Sequence, residues 1–283
     1  MSSTHKLSRF FVYFCLTMMA ISFLIPIIWV FFASIKENTE FYGNAWSIPK
    51  GIAWENFVEA WTSAKMSQYF LNSVLVTSLG LLFLLAVSVP AAYVLSRFSF
   101  RGSRLVNAYL RAGLFVNLSY VVIPIFLMLL GWDRMLKAKI FLNNPLVLAL
   151  IYAATQIPFT VYLLGNYFRT ISKTYEEAAY IDGAGYFRTM MDIMVPMAKP
   201  SITTVILFNF LAFWNEYILA QTLMTQKYTL PVGLINLQQA SRGAADYGTL
   251  YAGLVIVMLP TLILYILVQK QLTEGMMVGG DKG

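Results

Sequence analysis

Apolar and polar residues follow one another along this chain in long blocks. Apolar runs occupy about 10–34, 69–95, 106–130, 145–168, 201–223 and 249–268. A helix needs roughly 20 apolar residues to cross a bilayer core, and each run meets that length. The pattern predicts an all-α integral membrane protein with six transmembrane helices. The first run exceeds the ~7–15 residues of a signal-peptide core, so it reads as a retained span behind a basic leader, residues 1–9 with Lys6 and Arg9. Between the first two runs, residues 36–68 are polar but rich in aromatics (Phe41, Tyr42, Trp46, Trp54, Phe57, Trp61), as expected of a short amphipathic segment at the interface. Residues 131–144 read as an external turn and 224–248 as a loop. Residues 10–283 form a single membrane domain on this reading, with Pro26, Pro90, Pro124, Pro158 and Pro260 inside its spans.

A polar island, residues 169–200 (RTISKTYEEAAYIDGAGYFRTMMDIMVPMAKP), separates the fourth and fifth runs. Four basic residues (Arg169, Lys173, Arg188, Lys199) balance four acidic ones (Glu176, Glu177, Asp182, Asp192). Ser172 or Thr174 can cap a helix whose first turn carries Glu176 and Glu177, with Ile171, Tyr175, Ala178 and Ile181 at helical spacing. Gly183 and Gly185 interrupt the pattern, GYFRTMMDIMVP restarts it, and Pro196 closes it. Helix, glycine turn and helix would present a compact knob. Its apolar face would comprise Tyr175, Ala178, Ala179, Ile181, Ala184 and Phe187, the small alanines allowing close approach of a partner's groove.

Composition narrows the chemistry. With 59% hydrophobic and 12% charged residues, the chain is far more apolar than a soluble domain, where charged residues make up about a quarter. Its single cysteine excludes an internal disulfide framework, and its single histidine leaves no zinc cluster or Ser/His/Asp triad. No G-x-x-x-x-G-K-[ST] loop, H-E-x-x-H, C-x-x-C or G-x-S-x-G occurs. Catalytic, cofactor and metal residues are therefore not expected, which leaves a transporter, a channel or a membrane scaffold. The formal charge of +7 belongs to residues flanking the spans. Placing the leader, the loop with Arg97, Arg101, Arg104 and Arg111, the island and the tail on one side gathers twelve of the 20 basic residues there. The positive-inside rule makes that side cytoplasmic, with both termini and the island on it.

The island resembles a known pattern. Glu177-Ala178-Ala179, then Gly183, then Ile193-Met194-Val195-Pro196 are similar to the EAA loop of permease subunits of binding-protein-dependent ABC importers, and Gly183 stands 100 residues from the end, as in that family. The resemblance implies a cytoplasmic helix-turn-helix coupling loop seated in a cleft of a separate ATPase. Tyr175, Glu176, Glu177, Ala178, Ala179, Asp182, Gly183, Ala184 and Pro196 would couple it to that ATPase, Glu177 holding a polar contact and Glu176 a weaker one. ATP and Mg would sit on the ATPase and not on this chain. A second homologous permease, two ATPase subunits and an extracytoplasmic sugar-binding protein would be the partners, in the bacterial cytoplasmic membrane. AFWNEYILA (212–220), KYTLPVGL (227–234) and SRFSFRG (96–102) resemble the carbohydrate-uptake branch, near the second membrane subunit of the maltose transporter. The function implied is half of the pathway of an ATP-driven sugar importer, an oligosaccharide being the expected cargo. The alternatives are another solute such as a polyamine, or a scaffold for a cytoplasmic partner.

Glu216 is the acidic residue well inside an apolar run, beside Asn209 and Asn215. A carboxylate facing lipid costs at least a few kcal/mol, so it should face a helix or a watery cavity. On a continuous helix Asn209 and Glu216, two turns apart, share a face. They either line a sugar pathway or hold helices together, and the resemblance to the maltose subunit favours the second.

Overall fold

The computed structural model describes residues 2–244 and 246–277. Met1 of the leader and the tail beyond Met277 lie outside the described residues. All regular structure among the described residues is helical. Five helices are long and apolar enough to cross a membrane: Ser8–Ser34, Met66–Arg97, Leu118–Leu136, Pro145–Thr170 and Tyr247–Gln269. A sixth crossing arises if Tyr186–Met197 and Lys199–Trp214, bent by 75° at their junction, count as one span. All five prolines expected inside spans do fall inside helices.

The first eight helices are α1 (Ser2–Ser34), α2 (Asn38–Gly43), α3 (Glu55–Trp61), α4 (Met66–Arg97), α5 (Ser103–Gly113), α6 (Leu118–Met135), α7 (Pro145–Thr170) and α8 (Thr174–Ile181). Three boundaries differ from the apolar blocks. The run expected as one span over 106–130 is two helices, α5 and α6. Asn117 takes an extended conformation and its side chain accepts from Ser119 N at 2.9 Å, which starts α6 afresh. The span expected over 201–223 stops at Trp214 and resumes as Ile218–Leu223. Sixteen residues from Lys199 reach only about 24 Å, short of a ~30 Å core. The loop expected over 224–248 holds a helix, Leu230–Ala244, whose first amide donates to Ser73 Oγ at 2.7 Å.

The chain divides into two compact units, Met1–Ser67 with Gly233–Leu259, and Gln68–Val232 with Pro260–Gly283. In the first unit, Phe41 and Tyr42, two of the aromatics expected at the interface, pack on Tyr247 at the start of the last helix. Phe41 stacks on Tyr247 at 5.0 Å and Trp29 meets Tyr251 edge-on at 5.1 Å. Asn38 donates to Asp246 Oδ1 at 3.0 Å and accepts from the amides of Tyr247 and Gly248. Lys36 is buried, yet its Nζ reaches Asn44 O, Ala45 O and Ser47 Oγ, so a desolvated cation is satisfied by three neutral acceptors.

The second unit carries two apolar cores. One joins Val76 and Leu84 of α4 to Val122 and Leu129 of α6, Tyr152 of α7, Phe213 and Leu219. The other joins Tyr93 of α4 to Leu164 and Phe168 of α7, then to Met190, Met194 and Ala198. That second core lies under the polar island.

Candidate functional site

Over the island the order helix, glycine turn and helix is present, although the N-cap of α8 is Lys173, with no side-chain cap bond, where Ser172 or Thr174 was expected. α8 ends at Ile181 and Asp182 follows as its cap. Gly183 then takes φ +81, a left-handed conformation that Cβ-bearing residues resist. Its amide donates to Tyr180 O at 3.1 Å, and the amide of Ala184 donates to Ala179 O at 2.9 Å. Those two bonds are the Schellman closure, which satisfies the last carbonyls of α8. Gly185 is not left-handed (φ −75), so the turn requires one glycine and not both. The second arm, Tyr186–Met197, contains a π-helical turn over Thr189–Met194 and runs past Pro196 to Met197, where closure at Pro196 is expected. Pro196 lies inside this helical arm, directly after its π-helical turn.

The adjacent glutamates of α8 differ in burial. Glu177 is exposed, whereas Glu176 is 7% exposed. Tyr93 Oη donates to Glu176 Oε1 at 2.8 Å, and Arg97 Nε lies 3.4 Å from Oε2. Arg97 Nη2 also donates to Ile171 O at 2.7 Å, at the exit of α7. Glu176, expected to make a weaker contact with a partner, is thus turned inward and ties the knob to α4. Ala179 is buried on the same face and Ala184 is half-buried, so neither belongs to the outer surface expected of it. Tyr175, Ala178, Ile181, Asp182, Gly183, Phe187 and Pro196 are exposed, Ile181 at 87%. The outer face therefore consists of apolar side chains with Glu177 and Asp182 beside them. Desolvation by its surroundings raises the pKa of the Tyr180 hydroxyl above its ordinary value, with the neighbouring Tyr186 and Glu176 adding to the effect and a hydrogen bond with Tyr93 opposing it.

The Asn209, Asn215 and Glu216 set is taken apart by the helix break. Glu216 Oε1 accepts from Leu219 N at 2.8 Å and Oε2 from Ala220 N at 3.0 Å, capping the helix Ile218–Leu223, and Tyr152 Oη donates to Oε2 at 2.7 Å. This is a structural anchor that joins α7 to the restarted helix. Asn209 is 1% exposed and donates to Thr160 Oγ1 at 3.1 Å and Val205 O at 2.8 Å. Asn215 is exposed and donates to Leu211 O. Asn209 and Glu216 each hold a helix contact, and the helix that would have given them a common face ends between them.

Two polar residues escaped the sequence reading. Asp133, 7% exposed, accepts from the amides of Ile140, Phe141 and Leu142 at 2.8, 2.9 and 3.1 Å and so folds the turn after α6. Asn143, in the left-handed region (φ 57), accepts from the amides of Gln226 and Lys227. A carboxylate ahead of a short polar turn is the signal that marked the first, while the second depends on pairing across more than 80 residues.

Comparison with known proteins places this geometry. The model of the family described as binding-protein-dependent transport system inner membrane component matches residues 85–276. The chain is 34% identical over 258 residues to the diacetylchitobiose uptake system permease protein NgcG of Streptomyces coelicolor, covering 90% of this chain and 83% of that one. It is 32% identical over 272 residues to the trehalose/maltose transport system permease protein MalG of Thermococcus litoralis, covering 94% of each. A chain from the crystal structure of a bacterial ABC transporter involved in import of the acidic polysaccharide alginate superposes with a TM-score of 0.80 at 25% identity, over 95% of this chain and 98% of that one. A second, from the alginate transporter in complex with an alginate pentasaccharide-bound periplasmic protein, shares the fold with a TM-score of 0.67 at 16% identity, over 94% and 96% of the two chains.

Proposed function

This chain belongs to the family of binding-protein-dependent transport system inner membrane components, and on that premise we propose that it is one of two permease subunits of an ATP-driven oligosaccharide importer. The observation that carries the cargo is likeness along nearly the whole chain to permeases named for diacetylchitobiose, galactooligosaccharides and trehalose/maltose. A second, homologous permease supplies the other half of the pathway. Two cytoplasmic ATPase subunits bind ATP and Mg, and an extracytoplasmic binding protein delivers the sugar. The knob over 169–200 faces the cytoplasm, as do both termini, and its exposed Tyr175, Glu177, Ala178, Ile181, Asp182 and Phe187 meet the ATPase. Gly183 sets the turn of that surface and Glu176 holds it from behind. Membrane-embedded polar residues of the Glu216 kind shape helices in this subunit and leave sugar contact to other groups.

The reading is tested by reconstituting the chain in vesicles with its partner permease, ATPase and binding protein. ATP-dependent uptake of an oligosaccharide that the binding protein holds by calorimetry is the expected result. A binding protein that holds a polyamine or an amino acid and no sugar would overturn the assigned cargo.

A further inference from the structure

A cavity of about 110 Å³ opens among α4, α5 and α7, within the second unit. Ser96, Asn107, Arg111, Asn166 and Arg169 supply its polar lining. Arg111 and Arg169 both line this small space and no acidic residue does. The ion pairs among the described residues are Arg97 with Glu176 and Arg188 with Asp192. Arg169 Nη1 donates to Asn166 Oδ1 at 3.1 Å and Arg111 Nε to Asn107 O at 3.2 Å, each bond using one of the five donors a guanidinium carries.

α5 runs beside α7, since a Cβ at Gly113 would stand 2.8 Å from Pro158 Cγ. The bond of Arg111 to Asn107 O, one turn back, turns its side chain toward the start of α5.

We propose that this cavity binds a phosphate group, that of an acidic phospholipid headgroup. Two planar guanidinium forks without an acid match a phosphate and neutralise its charge. At ~30 Å³ per water, the space holds three or four waters, enough for a tetrahedral anion and well below the ~300 Å³ at which pockets for larger ligands begin. Basic pockets between membrane helices suit such headgroups. The site goes beyond the transport reading and does not depend on it.

The test uses the full chain in detergent, titrated with phosphatidylglycerol, with phosphatidylcholine and with inorganic phosphate. Bound lipid is counted by native mass spectrometry, and thermal unfolding is followed in parallel. Phosphatidylglycerol should be retained and should raise Tm at levels where phosphatidylcholine does neither. Arg111→Gln with Arg169→Gln should lower its retention about tenfold. Arg111→Lys with Arg169→Lys should keep part of it, and Arg134→Gln, outside the cavity, should change nothing. Equal retention of phosphatidylglycerol by the double glutamine variant overturns the proposal, and so do equal Tm shifts from the two lipids. A shift from inorganic phosphate with none from phosphatidylglycerol rejects the lipid as the source. The lipid comparison on the unmodified chain decides the matter even if the variants fail to fold.

Discussion

Glu176 and Glu177 are neighbours in sequence, and their variants should fail in opposite ways. At 3.4 Å and an effective dielectric of about 20, Arg97 and Glu176 attract by about 5 kcal/mol before the cost of desolvating both is subtracted. Their side chains are only 5% and 9% exposed, so removing one partner strands the other, at a cost of about 3–5 kcal/mol. Glu176→Gln retains an acceptor for Tyr93 and should cost about 3 kcal/mol, the low end of that range. Glu177 is exposed, so Glu177→Lys should stay within about 0.5 kcal/mol of the unmodified chain. Thermal unfolding of the purified chain gives the first comparison, and ATPase stimulation in reconstituted vesicles gives the second. Glu177→Lys should leave stability and insertion intact while uncoupling ATP hydrolysis from uptake, and Glu176→Gln should lower Tm. The stranded-charge account makes a stricter demand: Arg97→Met combined with Glu176→Leu must be less destabilising than the sum of the two single changes by well over 0.5 kcal/mol. Additivity of the two would refute it, and a Glu177→Lys chain that imports at the unmodified rate would refute the coupling role of Glu177.

Gly183 is left-handed, and a Cβ there would meet nothing within 4 Å, so the cost of substitution is conformational alone. Gly183→Val should destabilise the knob by about 1–2 kcal/mol and Gly183→Asn by less, measured by hydrogen exchange across α8, with loss of coupled uptake in the valine variant. Glu216→Gln removes a charge-assisted cap from two amides and should raise exchange at Leu219 and Ala220 by about tenfold, at a cost of about 1–2 kcal/mol, while sugar affinity stays unchanged. Burial tends to raise the pKa of Asp246, but hydrogen bonds from Thr249 and Asn38 outweigh it and hold the carboxyl below its ordinary value of 3.8. A depressed carboxylate contributes stability above its unfolded pKa and loses it as pH falls through the folded one, so the protection factor of the Thr249 amide, its exchange divided into the intrinsic rate at each pH, should be flat at neutral pH and fall only below the ordinary value.

Run length and composition were sufficient for the class, because roughly 20 apolar residues can do little else than span a bilayer. They were blind to breaks of three or four residues. Asn117 and Glu216 each restart a helix by binding amides just downstream, and a window that averages over a span dilutes such a residue among its apolar neighbours. The Gly183 turn was readable because it is local: one glycine between two helical patterns. The inward face of α8 was half readable, since Glu176 stands three residues before Ala179 and shares its side of the helix. What could not be read was the group that makes a buried glutamate tolerable. Arg97 lies 79 residues earlier and looks in sequence like one more positive residue flanking a span.

That non-local tie changes what a push on the knob would move. Chain connectivity alone attaches it to the helix before it and the helix after it. The fold adds a third attachment. Glu176 fixes α8 to Tyr93 and Arg97 of α4, and Arg97 also holds Ile171 at the exit of α7. The second arm is held independently, because Met190 and Met194 are buried against Tyr93 and Phe168 in the same core. The knob therefore sits on α4 and α7 together, and displacing it without them would expose a buried ion pair and an apolar core at once. After Met197 the chain bends by 75° before Lys199–Trp214, so that helix is joined at an angle and through one residue. Under the proposed coupling, force entering at Glu177 is carried by packing into α4 and α7, while the helix after the knob follows through a bend where direction, and not only position, can change.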